Sequence, residues 1–171
     1  MKIKLILVAL SCFISFGWAE NNAVLLDRVM KLQAHLKSAS DPDQTLYDMG
    51  GFAQEMDVSL KEYAKQSAYR DVCHLKVIKS ENFGDFISYD GYHYRQLISK
   101  YPNSPLVDDA SYRLIYVIDS DSYNYEDLEV QKDKLEAFIK QFPKSNLYKE
   151  AKEKINAIEQ TLKSGGPAIY D

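Results

Sequence analysis

Two stretches of this chain repeat one another at a spacing of 41 residues, and that repetition constrains the fold more than any other feature. Residues 94–118 read YRQLISKYPNSPLVDDASYRLIYVI, and residues 135–159 read LEAFIKQFPKSNLYKEAKEKINAIE. In this frame five positions are identical: Ile98/Ile139, Pro102/Pro143, Ser104/Ser145, Leu106/Leu147 and Ala110/Ala151. Tyr101 is matched by Phe142, and Leu97 by Phe138. Each copy carries one apolar stripe at helical spacing, then a proline that drives the residue before it out of the α region, then a second stripe. Such a unit cannot bury its apolar face alone, so copies must stack. The expected fold is all-α: stacked antiparallel helical hairpins forming a short solenoid.

Phasing the stripes sets the expected elements. Ile87, Gly91, Tyr94, Ile98 and Tyr101 line one helix, and Val107, Ala110, Leu114 and Val117 line the helix facing it. Ser104-Pro105 reads as N-cap and first helical position. In the second copy Asn124 caps a helix that carries Leu128, Leu135, Phe138 and Phe142 to Pro143. Ser145 caps the last helix, with Leu147, Ala151, Ile155, Ile158 and Leu162 inward. The spacing exceeds the roughly 34 residues of a tetratricopeptide repeat by about two helical turns, which lengthens a helix without rotating its apolar face. The first helix of each hairpin therefore reads as lengthened, the earlier one starting near Asn82-Phe83. Residues 82–163 become two hairpins, and residues 164–171 a flexible tail.

Residues 20–81 are expected to act as N-terminal helices, a degenerate hairpin that caps the stack. Leu25, Val29, Leu32 and Leu36 form one stripe, and Asp41-Pro42 restarts the chain as a helix. Leu46, Met49, Ala53, Met56, Leu60, Tyr63 and Ser67 then fall in a heptad series, predicting one helix straight through Gly50-Gly51. Each glycine costs such a helix about 1 kcal/mol relative to alanine, so the pair serves close packing or a kink. In residues 69–81, Cys73, Leu75 and Val77 alternate as in a strand, while Ala68, Val72 and Leu75 continue a helical stripe. A lone short strand has no evident partner, which favours helix or an irregular link.

The N-terminus reads as an address. Lys2 and Lys4 precede an apolar run from Leu5 to Phe16, and Gly17 and Ala19 place small residues before a cleavage point between Ala19 and Glu20. That pattern is a secretory signal peptide, residues 1–19. The alternative uses Ala9-Leu10-Ser11-Cys12 as a lipobox, with Cys12 lipidated and the protein anchored to the outer membrane. The chain is therefore expected to be periplasmic or secreted, touching a membrane only if Cys12 carries lipid. Removing residues 1–19 takes two of the 21 basic residues and none of the 25 acidic ones, moving the formal charge from −4 to −6. An acidic balance argues against nucleic acid as a ligand. Cys73 is then the only cysteine left, so no internal disulfide forms and the fold rests on its core.

No catalytic constellation is legible, and no enzyme activity is expected. Cys73 and His74 are adjacent, so they point in different directions and lack a third group to orient a base. They read as a buried thiol beside a surface histidine. His35, His74 and His93 show no metal-ligand spacing, and no phosphate or dinucleotide fingerprint is present, so neither metal nor cofactor is expected. Asp119 and Asp121 begin like a calcium loop, but Tyr123 and Val130 occupy ligand positions. What stands out is 13 tyrosines, gathered at Tyr89, Tyr92 and Tyr94 and at Tyr112, Tyr116, Tyr123 and Tyr125. Tyrosines at the rim of stacked helices bring contact area at small entropic cost. Tyr89, Tyr92, His93, Tyr116 and Tyr123 are accordingly expected to edge a partner-binding surface.

The helix–[Tyr/Phe]-Pro-x-Ser–helix junctions at Tyr101–Ser104 and Phe142–Ser145, each followed by Ala110 or Ala151, resemble the tetratricopeptide-like repeats of bacterial envelope proteins. The nearest resemblance is to the outer-membrane β-barrel assembly lipoproteins and the Tol–Pal-associated repeat proteins, over residues 94–118 and 135–159. The resemblance implies that the aromatic residue and proline close the inter-helix turn and that the alanine permits close packing. It also implies an exported protein–protein interaction module of cell-envelope assembly or maintenance, with an envelope protein or peptide as partner. A small exported inhibitor or immunity-type protein that blocks a hydrolase fits the length and acidity equally well.

Overall fold

The computed structural model describes residues 21–79, 84–117 and 125–165, and these are mainly helical with one two-stranded sheet. The first nineteen residues, Cys12, the Ala19–Glu20 cleavage point, Tyr123, Asn124 and residues 166–171 of the expected tail lie outside them.

Helix α1 (Asn22–His35) starts where the Asn21 side chain accepts a hydrogen bond from Ala23 N at 2.9 Å. It buries Leu25, Leu26 and Val29 and ends in a 3₁₀ turn, Leu36–Ser38. Pro42 opens α2 (Pro42–Gln54) at the first helical position, as its fixed φ favours. Gly50 and Gly51 lie inside α2, and Gly50 is where the side chain of Tyr94 crosses the helix.

The heptad series does not continue as one helix. Glu55 is the C-cap of α2, and Ser59 opens a separate helix α3 (Leu60–Lys65). Ser59 Oγ accepts from Glu62 N while Glu62 Oε2 accepts from Ser59 N at 3.1 Å, so two otherwise orphaned N–H groups are satisfied. This capping box fixes a helix start inside the apparent stripe, and Leu60 is left 42% exposed.

Residues 69–81 hold a strand. After the single turn α4 (Ala68–Asp71), β1 (Leu75–Ile78) pairs antiparallel with β2 (Phe86–Tyr89), Leu75 opposite Tyr89 and Ile78 opposite Phe86. The repeat frame places residues 86–89 in a lengthened helix, which leaves β1 without a partner strand in the sequence; the structure supplies one. That lengthening occurs only in the second copy: α7 (Tyr125–Gln141) has 17 residues, whereas α5 (Tyr92–Lys100) has 9. Gly91 stops α5 from extending backward, with φ at 85°. A Cβ there would stand 2.6 Å from Leu114 Cδ2, so the position admits only glycine without rearrangement.

The two junctions themselves coincide bond for bond. Helices α6 (Val107–Ile115) and α8 (Tyr148–Lys163) start 41 residues apart. Tyr101 N donates to Leu97 O and Phe142 N to Phe138 O, both at 2.8 Å. Ser104 N donates to Tyr101 O, and Ser145 N to Phe142 O. Leu106 N and Leu147 N donate to the Ser104 and Ser145 hydroxyls at 3.2 and 3.1 Å. The serines thus head a turn that enters the helix, rather than standing at its N-cap, which is Leu106 or Leu147.

Helices contact in chain order: α1 with α2, α2 with α5, α5 with α6, α6 with α7, and α7 with α8. One core gathers α1, α2, the sheet, α5 and the inner side of α6, with Tyr94 and Leu97 fully buried. A second joins Tyr112 and Ile115 of α6 to Leu135, Phe138, Ala151, Ile155 and Ile158. Phe142 packs against both, so α6 and the second junction weld the two cores. Among the described residues no helix is long and apolar enough to cross a membrane.

Candidate functional site

Of the five residues expected to edge one surface, Tyr123 lies outside the described residues and the other four are separated by the fold. Tyr89 and His93 belong to the core, 4% and 1% exposed. Strand β2 turns Tyr89 inward, where its hydroxyl accepts from His93 N at 2.8 Å and meets His93 Nδ1 at 3.2 Å. They lie inside because a strand ends at Tyr89 and α5 begins at Tyr92, a break that the helical phasing did not contain. Tyr92 is half-buried and stacks on His74, ring centres 3.6 Å apart. His74, expected at the surface, is therefore partly covered, and its φ of 53° is the turn that leads into β1.

Among the four that are described, Tyr116 alone lines the following cleft. A cleft of about 440 Å³ lies between α2, α6 and the start of α8, walled by Tyr47, Tyr112 and Tyr116. That volume falls within the range of small-ligand and peptide-side-chain sites. Arg113 Nε donates to the Tyr47 hydroxyl at 2.8 Å, and its guanidinium carbon lies 5.2 Å from the centre of the Tyr47 ring. Lys154 Nζ stands 4.4 Å from the Tyr116 ring centre and 3.1 Å from Glu150 Oε1. Tyr112 OH donates to Glu150 Oε1 at 2.9 Å, and Tyr116 OH donates to Tyr112 OH at 3.3 Å. Gln54, Glu55 and Asp109 complete the rim.

The electrostatics follow from this packing. Burial raises the Tyr112 phenol above its ordinary range, reinforced by its bonds to Tyr116 and Glu150, so it stays a neutral donor. Burial likewise raises the Asp109 carboxyl, helped by Asp108 and opposed by Arg113. For Lys154, burial works downward, but Tyr116 and Glu150 outweigh it and hold the ammonium charged.

The repeat frame contains a signal for this site. It places Asp109 with Glu150 and Arg113 with Lys154, an acid and a base one turn apart in each copy. Three of those positions, Asp109, Arg113 and Lys154, line the cleft beside Tyr112 and Tyr116 of the tyrosine cluster, and Glu150 holds Lys154 and Tyr112 from behind.

Other groups offer less. Cys73 is wholly buried, and burial pushes its thiol up to about 12, so no thiolate is present at neutral pH. Burial, with His74 beside it, holds His93 down at about 3 against the backbone at Val72. Among the described residues no cluster of three or more His, Cys, Asp or Glu is placed to hold a metal ion. A wider hollow of about 730 Å³ runs along the outer side of α7 and α8. Ala137, Ile139, Tyr148 and Ile155 form its floor, and Asp133, Glu136, Lys140 and Lys152 flank it. Comparison with protein-family models, with curated proteins and with solved structures finds no match to this chain.

Proposed function

We propose that this chain is an exported, tetratricopeptide-like module that binds an envelope protein or peptide during cell-envelope assembly or maintenance. The observation that carries this reading is the tyrosine-walled cleft of α2, α6 and α8, whose acid and base positions recur between copies. The matching hydrogen bonds of the two junctions support stacking of the hairpins in the tetratricopeptide manner. Its action is binding rather than catalysis, a reading supported by the buried, protonated state of Cys73. Tyr116 supplies amphipathic area held in place by its hydrogen bond to the buried Tyr112, so little order is lost on contact.

A photocrosslinking residue at Tyr116, in cells expressing the protein, tests the reading. Crosslinks to one discrete envelope protein, absent when the same residue replaces Lys152 on the outer side of α8, are expected. Equal labelling from both positions, or crosslinks only to cytoplasmic proteins, would refute it.

A further inference from the structure

The two copies have used the same charges differently. In the second, Lys154 falls back one turn onto Glu150 at 3.1 Å, and acid and base neutralise each other. In the first, Arg113 turns away to α2, where Nε donates to Tyr47 at 2.8 Å and the guanidinium lies over that ring. Asp109, the equivalent of Glu150, is half-buried, and its carboxylate has neither ion pair nor hydrogen bond among the described residues. Glu55 is a second cleft carboxylate without an ion pair among the described residues, and it is the C-cap of α2. Helix carbonyls there already carry partial negative charge. Asp108, in the first turn of α6 with Asp109, adds to the same field.

The cleft is therefore lopsided. Lys154 is ion-paired with Glu150 and Arg113 is held by the neutral Tyr47 phenol, while the carboxylates of Asp109 and Glu55 make no ion pair among the described residues. An anionic segment entering here would face two carboxylates without an ion pair among the described residues, with Lys154 already on Glu150 and Arg113 drawn aside to Tyr47. A cation would supply to Asp109 what Lys154 supplies to Glu150, with tyrosine rings alongside for its apolar stem.

Resting on the binding reading above, we infer that the cleft accepts a lysine or arginine side chain from an extended segment of the partner, seated at Asp109 and Glu55. The ligand class is thus a basic peptide segment.

The test uses two acetylated, amidated peptides, Gly-Lys-Ala-Lys-Ala-Gly and Gly-Glu-Ala-Glu-Ala-Gly, titrated into the ¹⁵N-labelled protein. The lysine peptide is expected to shift amides at the end of α2 and in the first turn of α6, and to lose affinity as salt rises. Asp109→Asn combined with Glu55→Gln, whose side chains hold no hydrogen bond among the described residues, should weaken it about tenfold. Tyr47→Phe keeps both carboxylates but frees Arg113 to return to Asp109, and should weaken it as well. Binding of the glutamate peptide instead would overturn the inference while leaving the binding module standing. Binding of neither peptide would overturn the inference, and the Tyr116 crosslink then decides separately on the module. Lysine-peptide affinity unchanged in the double variant would place the ligand elsewhere and also overturn it.

Discussion

Gly50 and Gly51 are neighbours in one helix, yet alanine at the two positions should act in opposite directions. A methyl group on Gly50 would stand 2.6 Å from Tyr94 Cε1 and 2.9 Å from Cδ1 and Cζ. Carbon atoms in contact sit about 3.5–4.0 Å apart, so the ring would have to retreat by about 1 Å. It has no room to do so. Tyr94 is 0% exposed, its hydroxyl donates to Gln54 Oε1 at 3.2 Å, and the Tyr47 and Tyr89 rings each lie 5.8 Å away. Overpacking of this kind costs about 1–3 kcal/mol, offset by the ~0.5–1 kcal/mol that alanine gains over glycine in a helix. Gly50→Ala should therefore destabilise the protein by roughly 1–2 kcal/mol. At Gly51 the nearest atom is the Tyr94 hydroxyl oxygen at 4.0 Å, so only the helix gain remains. Gly51→Ala should stabilise by ~0.5–1 kcal/mol, raising Tm by about 2–3 °C. Urea unfolding followed by circular dichroism measures both. Equal stability of the two variants would refute the packing of α5 against α2 described here.

Other consequences are separable. His93 is buried neutral, with its pKa held at about 3 against an ordinary value of 6.5. The unfolded chain takes up the proton first, so stability is full above that ordinary value and falls as pH drops toward the folded one. The slope should approach ~1.4 kcal/mol per pH unit near pH 5, and His93→Phe should flatten it in pH-dependent urea unfolding. Phe138→Ala, at the centre of the second core, should cost about 3–5 kcal/mol by the same assay. Ser104→Ala should destabilise more than Ser145→Ala, because Ser104 Oγ also donates to Asp43 Oδ2 at 2.6 Å and ties the junction to the start of α2. The Asp43 carboxyl, held below its ordinary range first by that bond, should titrate higher in the Ser104→Ala protein by NMR.

The junctions were legible because proline, an aromatic residue and serine each impose a local geometry that survives any context. Tyr101–Leu106 and Phe142–Leu147 show it, with the same bonds in the same order. The strands were not legible for a different reason. Phe86–Tyr89 is four residues long, too short for periodicity to separate strand from helix, and only its pairing with Leu75–Ile78 distinguishes them. The break at Ser59 was readable as a Ser-x-x-Glu box, but apolar residues in heptad register ran across it and concealed it. Tyr89 and His93 went inside for the same reason the strand was missed. The cleft needed one more comparison within the repeat, the charged positions 109/150 and 113/154, where identity is absent but charge is kept.

The carboxylate of Asp109 is the point on which the basic-peptide inference turns, and carboxyl ¹³C NMR titration measures it directly. Asp109 should titrate above the ordinary aspartate range in the free protein, because burial and Asp108 oppose its charge more than Arg113 favours it. It should fall when the lysine peptide is bound, as a counter-charge arrives. An Asp109 that titrates at or below the ordinary range in the free protein, unmoved by the peptide, would show the site already neutralised and contradict the account.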